Sequence, residues 1–239
     1  MTGTSEFVAV EPFTAAPAQE AARERTLVER YREMAHGFQP GPVDRTLRVL
    51  DVVVGGALLV AAAPVLVACT LAVLVTSGRP LFYRGARVGR NGHVFGMYKL
   101  RTLRVDAETR LAPFLGAELT RLTSSELTRV GRVLRAVKLD ELPQLWNVIR
   151  GEMSLVGPRP IRPAFFEELC ETIPAYWQRL VVRPGVTGLA QLRLSREMTW
   201  EEKLAHDFEY IADRSPSLYA AVLAQTGAML LGRLLGREP

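Results

Sequence analysis

The residues best suited to chemistry are Asp140 and Glu141, adjacent carboxylates in the stretch LDELPQLWNVIRGEMSLVGPRP, residues 139–160. An ionised carboxylate can serve as a nucleophile or as a Mg²⁺ ligand. The pair also has a plainer reading. Asp and Glu are common at helix starts, where they face unpaired N–H groups and the positive end of the helix dipole. Pro143 suits a first helical turn and Gly151 a C-terminal end, so a helix is expected between them. That helix start and the nearby Arg135 would both lower the carboxylate pKa values and keep the pair charged.

Cations gather around this stretch in the sequence. Residues 79–104 carry seven Lys or Arg and no Asp or Glu. Such a block points to phosphates, nucleic acid or an acidic membrane face. In YKLRT a strand would set Lys99 and Arg101 on one face, where two cations suit a diphosphate. A solvated edge or contact with lipid headgroups fits the same pattern equally well. LTRVGRVLRAVKLDEL spaces Arg129, Arg132, Arg135 and Lys138 every third residue, so helical turns would align them. VRPGVTGLAQ is a Pro-Gly turn with a second glycine, offering backbone N–H groups to an anion.

The elements that must position these groups are legible in outline. The chain has 239 residues, 48% of them hydrophobic, and a formal net charge of +5. That length suits one sizeable domain with appendages. Residues 1–17 have a disordered composition. A helix is expected from Ala18 to His36, and FQPGP reads as a linker. Phe82 to Leu103 alternates short apolar runs with glycines, and Asn91-Gly92 signals a hairpin between two strands. Thr199-Trp200-Glu201-Glu202 is a capping box opening a helix. Ser215-Pro216 starts a last helix, apolar round most of its circumference, that reads as interfacial. Cys69 and Cys170 build neither a disulfide framework nor a zinc pattern, and the three histidines have no metal-ligand spacing.

Residues 52–75 form an uncharged, mostly apolar run. At about 1.5 Å per residue it is long enough to cross a bilayer core of roughly 30 Å. It is too long and too far along the chain for a signal peptide. Pro64 stands near its centre, where a missing N–H and a ring bend a helix. Arg45 and Arg48 precede the run, while Arg79, Arg84 and Arg87 follow it. The positive-inside rule then keeps both ends cytoplasmic. A helix that enters, breaks at Pro64 and returns satisfies both observations better than a kinked single span or a buried soluble helix.

Four stretches together resemble the bacterial sugar transferases, the small monotopic phosphoglycosyl transferases: RVGRNGHVFGMYKLRTL, RVGRVLRAVKLDELPQLWNVIRGEMSLVGPRP, RPGVTGLAQ and WEEKLAHDFEYI. The resemblance implies transfer of a sugar 1-phosphate from a nucleotide-sugar, with UDP the usual carrier, to polyprenyl (undecaprenyl) phosphate. A nucleoside monophosphate is released, and the product starts glycoconjugate or exopolysaccharide assembly. It implies a covalent intermediate on Asp140, with Glu141 as second member of the dyad and Mg²⁺ at the diphosphate, held by Asp140. Lys99, Arg101, Arg135, Arg159, Arg183 and Arg196 would meet phosphate, and Pro158, Arg159 and Pro160 would meet the nucleotide. The family commonly breaks its membrane helix at Ser-Pro, whereas this chain has Ala63-Pro64. After Gln191 the chain reads LRLSREMTW in place of the family's Asn-Gly-Arg-Asn-like loop, so the phosphate contact assigned to Arg196 rests on position alone.

The expected fold is mixed α/β and mostly helical. It comprises an N-terminal extension (1–42), a re-entrant membrane helix (43–78) and a cytosolic catalytic domain (79–239) with a small β-hairpin and interfacial helices. The implied site is on the cytoplasmic face of the bacterial inner membrane. The partners are the nucleotide-sugar donor, the polyprenyl phosphate acceptor and membrane lipids, without nucleic acid, and a homodimer is compatible with the pattern. Two other functions stay open: a membrane-attached hydrolase of nucleotide-sugars and a non-catalytic scaffold of a glycan-assembly complex. Nothing in the sequence identifies the sugar.

Overall fold

A computed structural model describes residues 40–111, 116–193 and 198–235. The expected N-terminal extension and its helix, and Arg196, lie outside the described residues. The described residues are mostly helical with two small sheets. The expected mixed α/β character is therefore observed.

Helix α1, Pro42–Ser77, is the longest element. Pro42 opens it, and the Asp44 carboxylate accepts from the N–H of Gly41 at 2.8 Å. The helical hydrogen bonding resumes on both sides of Pro64, so the expected break is not an interruption of the helix. A proline removes one ladder bond and bends a helix, but neighbouring turns can carry on through it. Among the described residues this is one helix long and apolar enough to cross a membrane, and little of it is buried. Val53, Val60, Val67 and Val75 are among its exposed apolar side chains.

Both ends of α1 nevertheless pack on the same body. The N-terminal arm buries Leu47 and Asp51, and Gly55 lies against Val148. Arg48 donates to the carbonyls of Val148 at 2.6 Å and Ile149 at 2.8 Å. Asp51 accepts from Ser154 Oγ, Leu155 N–H and Tyr219 Oη at 2.8–3.0 Å. The C-terminal arm buries Cys69 and Val73 against Leu100 and Leu134. The middle of the helix, around Pro64, has no comparable partner and stays exposed or half-exposed.

Strands β1 (Phe82–Val88) and β2 (Val94–Leu100) form the expected antiparallel hairpin, pairing Phe82 with Leu100 and Tyr83 with Lys99. Its turn passes through Asn91 and Gly92, both at positive φ, which is why Asn-Gly is favoured there. Helices α2 (Ala107–Leu111) and α3 (Gly116–Ser125) follow, then α4 (Arg129–Ala136). A short 3₁₀ turn, Leu139–Glu141, leads into α5 (Gln144–Arg150), which Gly151 ends at φ 82.

The rest of the chain buttresses that turn. Strand β3 (Ser154–Val156) pairs in parallel with β4 (Gly185–Thr187). Helix α6 (Pro163–Thr172) and a 3₁₀ segment, Tyr176–Val181, lie between them in sequence. Helix α7 (Leu189–Arg193) follows β4, then α8 (Trp200–Asp213), with the expected capping box at Thr199 and Glu202, and α9 (Pro216–Leu234). The main core joins Leu47 of α1, Phe95 and Met97 of β2, Val148 of α5 and Val222 of α9. A second cluster gathers Phe166, Tyr176 and Leu204. Arg179 and Asp207 form a buried ion pair at 2.8 Å beside it.

Candidate active site

The 3₁₀ turn holding Asp140 and Glu141 is set up by its flanks. Thr128 caps α4 by accepting from the N–H of Gly131 at 2.9 Å. Gly131 packs so closely on Thr102 that a Cβ there would lie 2.1 Å from its carbonyl oxygen. No side chain fits at that contact. The approach brings Arg135, three residues before Lys138, to donate to Thr102 Oγ1 at 2.8 Å. Lys138 then takes a left-handed conformation, φ 61, which turns the chain out of α4 and into the carboxylate turn.

The plain helix-cap reading is not what the structure shows. Helix α5 begins after Pro143 with no side-chain cap. The carboxylates lie one turn upstream with different surroundings. Glu141 Oε1 accepts from Lys99 Nζ at 2.7 Å. Burial alone would raise its pKa, but Lys99, Arg159 and Lys138 outweigh that and hold it down to about 2. Burial pulls the Lys99 ammonium down while Glu141 pulls it back up; with Glu141 ionised so firmly, the pair is charged.

Asp140 behaves differently from expectation. It is 5% exposed and makes no hydrogen bond or ion pair among the described residues. Its pKa is raised, not lowered. Burial is the largest cause and the charge of Glu141 adds to it, against the opposing pull of Lys99, Arg135 and Lys138. The cations and the helix start are visible in the sequence, whereas the loss of water on burial is not. The result is a buried carboxylate with spare coordinating capacity, surrounded by three cations.

Arg135, also pulled down by burial, faces both carboxylates. Lys99, Arg101 and Arg135 line one cavity of about 430 Å³, together with Arg87, Arg104 and Arg162. A neighbouring cavity of about 190 Å³ is lined by Lys99, Glu141, Arg159, Pro160, Phe165 and Trp200, among others. The two share Arg87, Lys99 and Arg162. Phe165 and Trp200 meet edge to face at 5.0 Å.

Lys99 and Arg101 are not used alike, although both line the larger cavity. Arg101 follows the end of β2, and its Nη2 donates to the carbonyls of Ser77 and Gly78, holding the end of α1. Pro158 is buried under the exposed Arg159, whose carbonyl accepts from Arg179 at 2.9 Å. Arg183 is not brought to this cluster. It donates to the carbonyl of Gly151 at 2.9 Å, and its charged neighbours are Arg48, Arg90, Asp51 and Asp44. The Pro-Gly turn after it serves packing instead: a Cβ on Gly185 would lie 2.1 Å from the N–H nitrogen of Gly157, where β3 and β4 cross.

Two contributors went unread in the sequence. Asn147, fully buried, takes the N–H of Tyr98 at 3.0 Å and donates to Gly96 O at 2.9 Å and Glu152 at 2.6 Å. It fixes β2, and so Lys99, against α5. Gln144 is 3% exposed, lines the smaller cavity beside Glu141, and has no hydrogen-bonding partner among the described residues. The only available signal was their polarity on a face of α5 that otherwise carries Leu145 and Val148.

The donor chemistry present suits Mg²⁺. That ion is commonly held by one or two carboxylates plus substrate phosphates, and Asp140 offers an uncommitted carboxylate beside phosphate-directed cations. Among the described residues no group of three or more His, Cys, Asp or Glu gathers.

This arrangement, a long apolar helix joined to a small body with paired carboxylates among arginines, matches one family model over nearly all of the described chain. Residues 44–233 match the bacterial sugar transferase model, and the chain belongs to that family. It is 41% identical over 71% of its length to the UDP-glucose:undecaprenyl-phosphate glucose-1-phosphate transferase of Caulobacter vibrioides, covering 63% of that protein. It is 34% identical over 68% of its length to the UDP-N-acetylgalactosamine-undecaprenyl-phosphate N-acetylgalactosaminephosphotransferase of Aeromonas hydrophila, covering 38% of it. The undecaprenyl-phosphate glucose phosphotransferase of Komagataeibacter xylinus is 39% identical over 69% of this chain, which covers 32% of that relative. The chain thus spans from about a third to just under two thirds of the length of these relatives. Family membership and the exposed apolar helix suggest membrane association.

Proposed function

We propose that the chain is a phosphoglycosyl transferase that moves a sugar 1-phosphate from a UDP-sugar to undecaprenyl phosphate. The observation that carries this reading is the division of labour between adjacent carboxylates. Glu141 is committed to Lys99, while Asp140 is buried, uncommitted and ringed by cations. The relatives' names supply the donor and acceptor classes.

In the first step an Asp140 oxygen attacks the phosphorus that bears the sugar. The bond from that phosphorus to the bridging oxygen breaks, and uridine monophosphate leaves. In the second, an oxygen of undecaprenyl phosphate attacks the same phosphorus and expels the Asp140 carboxylate. Splitting the transfer lets two dissimilar substrates use one site in turn. Lys99, Arg101, Arg135 and Arg159 offset charge on the phosphates, and arrays of this kind carry much of phosphoryl-transfer catalysis. Asp140 would hold Mg²⁺ together with the donor's phosphates, and the ion would neutralise charge on the departing diphosphate oxygen.

Glu141 positions rather than shuttles protons. A carboxylate held at about 2 is a poor base near neutral pH. Its part is to fix Lys99, and an acceptor phosphate that is already ionised needs little help from a base. Phe165, Trp200, Pro160 and Gln144 give the smaller cavity two aromatic faces and an amide, which suit the nucleoside end of the donor.

The membrane helix is read as re-entrant. Both of its arms pack on one body, its middle is exposed, and both flanks are basic, which favours the cytoplasmic face. The site then sits at headgroup depth on the inner membrane, where the acceptor phosphate lies. Cysteine probes near Arg45 and near Arg87, in a chain without Cys69 and Cys170, should be labelled from the same side. Labelling from opposite sides would discard the hairpin and leave a single span.

The reaction itself is tested by nucleoside monophosphate release from a panel of UDP-sugars, with and without undecaprenyl phosphate. Sustained release is expected only with the lipid. Equal release without it would mean a hydrolase, and no release with any donor would favour a non-catalytic scaffold.

A further inference from the structure

A second basic cavity, of about 730 Å³, opens at the C-terminal end of α1. It shares Arg101, Arg104 and Val105 with the larger catalytic cavity but is not lined by Lys99, Arg135 or Glu141. Arg129 and Arg132 of α4 form another wall, and the hydroxyl-bearing Thr76, Ser77 and Thr128 complete the polar lining. Four arginines therefore face one volume, and among the described residues no Asp or Glu lines it. Glu126, next to the lining residue Leu127 in sequence, is engaged by Arg110 through two hydrogen bonds of 3.2 and 2.7 Å.

Arg101 supplies an independent sign that an anion is missing. It is 7% exposed, and Nη2 is spent on Ser77 and Gly78. Its Nε and Nη1 are buried with no hydrogen-bond partner among the described residues. A buried guanidinium with unpaired N–H groups is costly, and an oxyanion is the group that satisfies such donors best.

The surroundings say what carries the anion. Leu74 and Val75, at the end of α1, are exposed, and so are Val105 on the cavity wall and Val133 of α4, the last by 62%. Exposed aliphatic groups interleaved with arginines are the pattern of a surface that lies in the boundary between acyl chains and headgroups. A soluble nucleotide would gain nothing from that apolar rim.

We infer that this cavity is a second phosphate site, which holds the headgroup phosphate of an anionic bilayer phospholipid against the end of α1. The inference goes beyond the transfer reaction and rests only on α1 lying in lipid.

The test uses the full chain in neutral detergent with equal amounts of phosphatidylglycerol and phosphatidylcholine, read by native mass spectrometry. The wild type should retain phosphatidylglycerol in preference. In R129Q/R132Q the preference should fall by about fivefold for each arginine removed, since a cation near an anionic lipid surface contributes about that factor. Both side chains are exposed, so the melting temperature without added lipid should match the wild type. R129K/R132K, which keeps the charge, should retain most of the preference. Equal retention of the two lipids by the wild type, or an unchanged preference in R129Q/R132Q, would overturn the proposal. Displacement of phosphatidylglycerol by equimolar inorganic phosphate would reassign the site to a soluble anion, and displacement by undecaprenyl phosphate would reassign it to the acceptor. Either result overturns the lipid source named here.

Discussion

Asp140→Asn should give a folded, membrane-bound protein whose turnover is lower by about three orders of magnitude or more, as expected when a nucleophile is removed. Asn has nearly the same shape but cannot form the carboxyl–phosphate bond. Stability supplies a second readout. Burial raises the pKa of Asp140, so its ionised form is penalised by the fold at neutral pH. A neutral amide escapes that penalty, and the variant should be at least as stable as the wild type. The wild type, given a UDP-sugar and Mg²⁺ without lipid, should carry a sugar phosphate on the peptide containing Asp140. Near-normal turnover by the variant, or an adduct on another peptide, would remove Asp140 from its assigned role.

Lys99→Met should cost about 3 kcal/mol of stability, because it strands the Glu141 carboxylate in a largely buried setting. That is the low end for a buried pair, since the two side chains keep 18% and 14% exposure. In the K99M/E141Q double variant both charges are gone, and most of the stability should return while activity does not. Recovery of activity with stability would mean that the pair only supports the fold. The pH dependence has a defined sign. Glu141 is held at about 2 instead of the ordinary 4.5, so its contribution is fully present above about 4.5 and is lost as pH falls towards 2. Urea unfolding of the metal-free protein across that window should show the loss in the wild type and a flatter profile in K99M/E141Q.

The local elements were legible because their signals are local. Asn91-Gly92 dictated its hairpin, Thr199 and Glu202 their capping box, and Pro143 and Gly151 the limits of α5. The long apolar run announced α1 by composition. What escaped the sequence depended on distant partners. Lys99 and Arg101 share a strand face by spacing, yet one meets Glu141, 42 residues on, and the other meets Ser77, 24 residues back. Arg183 sits in a turn suited to anions but is used by the carbonyl of Gly151. The sign of the Asp140 shift was missed for the same reason: spacing reveals neighbouring charges, whereas desolvation is a property of the finished core. Asn147 and Gln144 could be seen as polar residues, but the partners of Asn147 and the burial of Gln144 beside Glu141 could not.

The short bridge from Lys99 to Arg101 has a mechanical meaning. One of its ends grips the carboxylate turn and the other grips the last carbonyls of the long apolar helix, with only Leu100, itself buried, between them. Three consecutive residues, two of them in β2, leave little slack. On the reading proposed above, the height of Asp140 over the bilayer would be gauged by where α1 ends, much as a depth stop sets a drill. Under the proposed re-entrant reading, hydrophobic thickness would become a working parameter: a membrane that seats α1 higher or lower would carry Asp140 with it, while the proposed acceptor phosphate would stay in the headgroup plane.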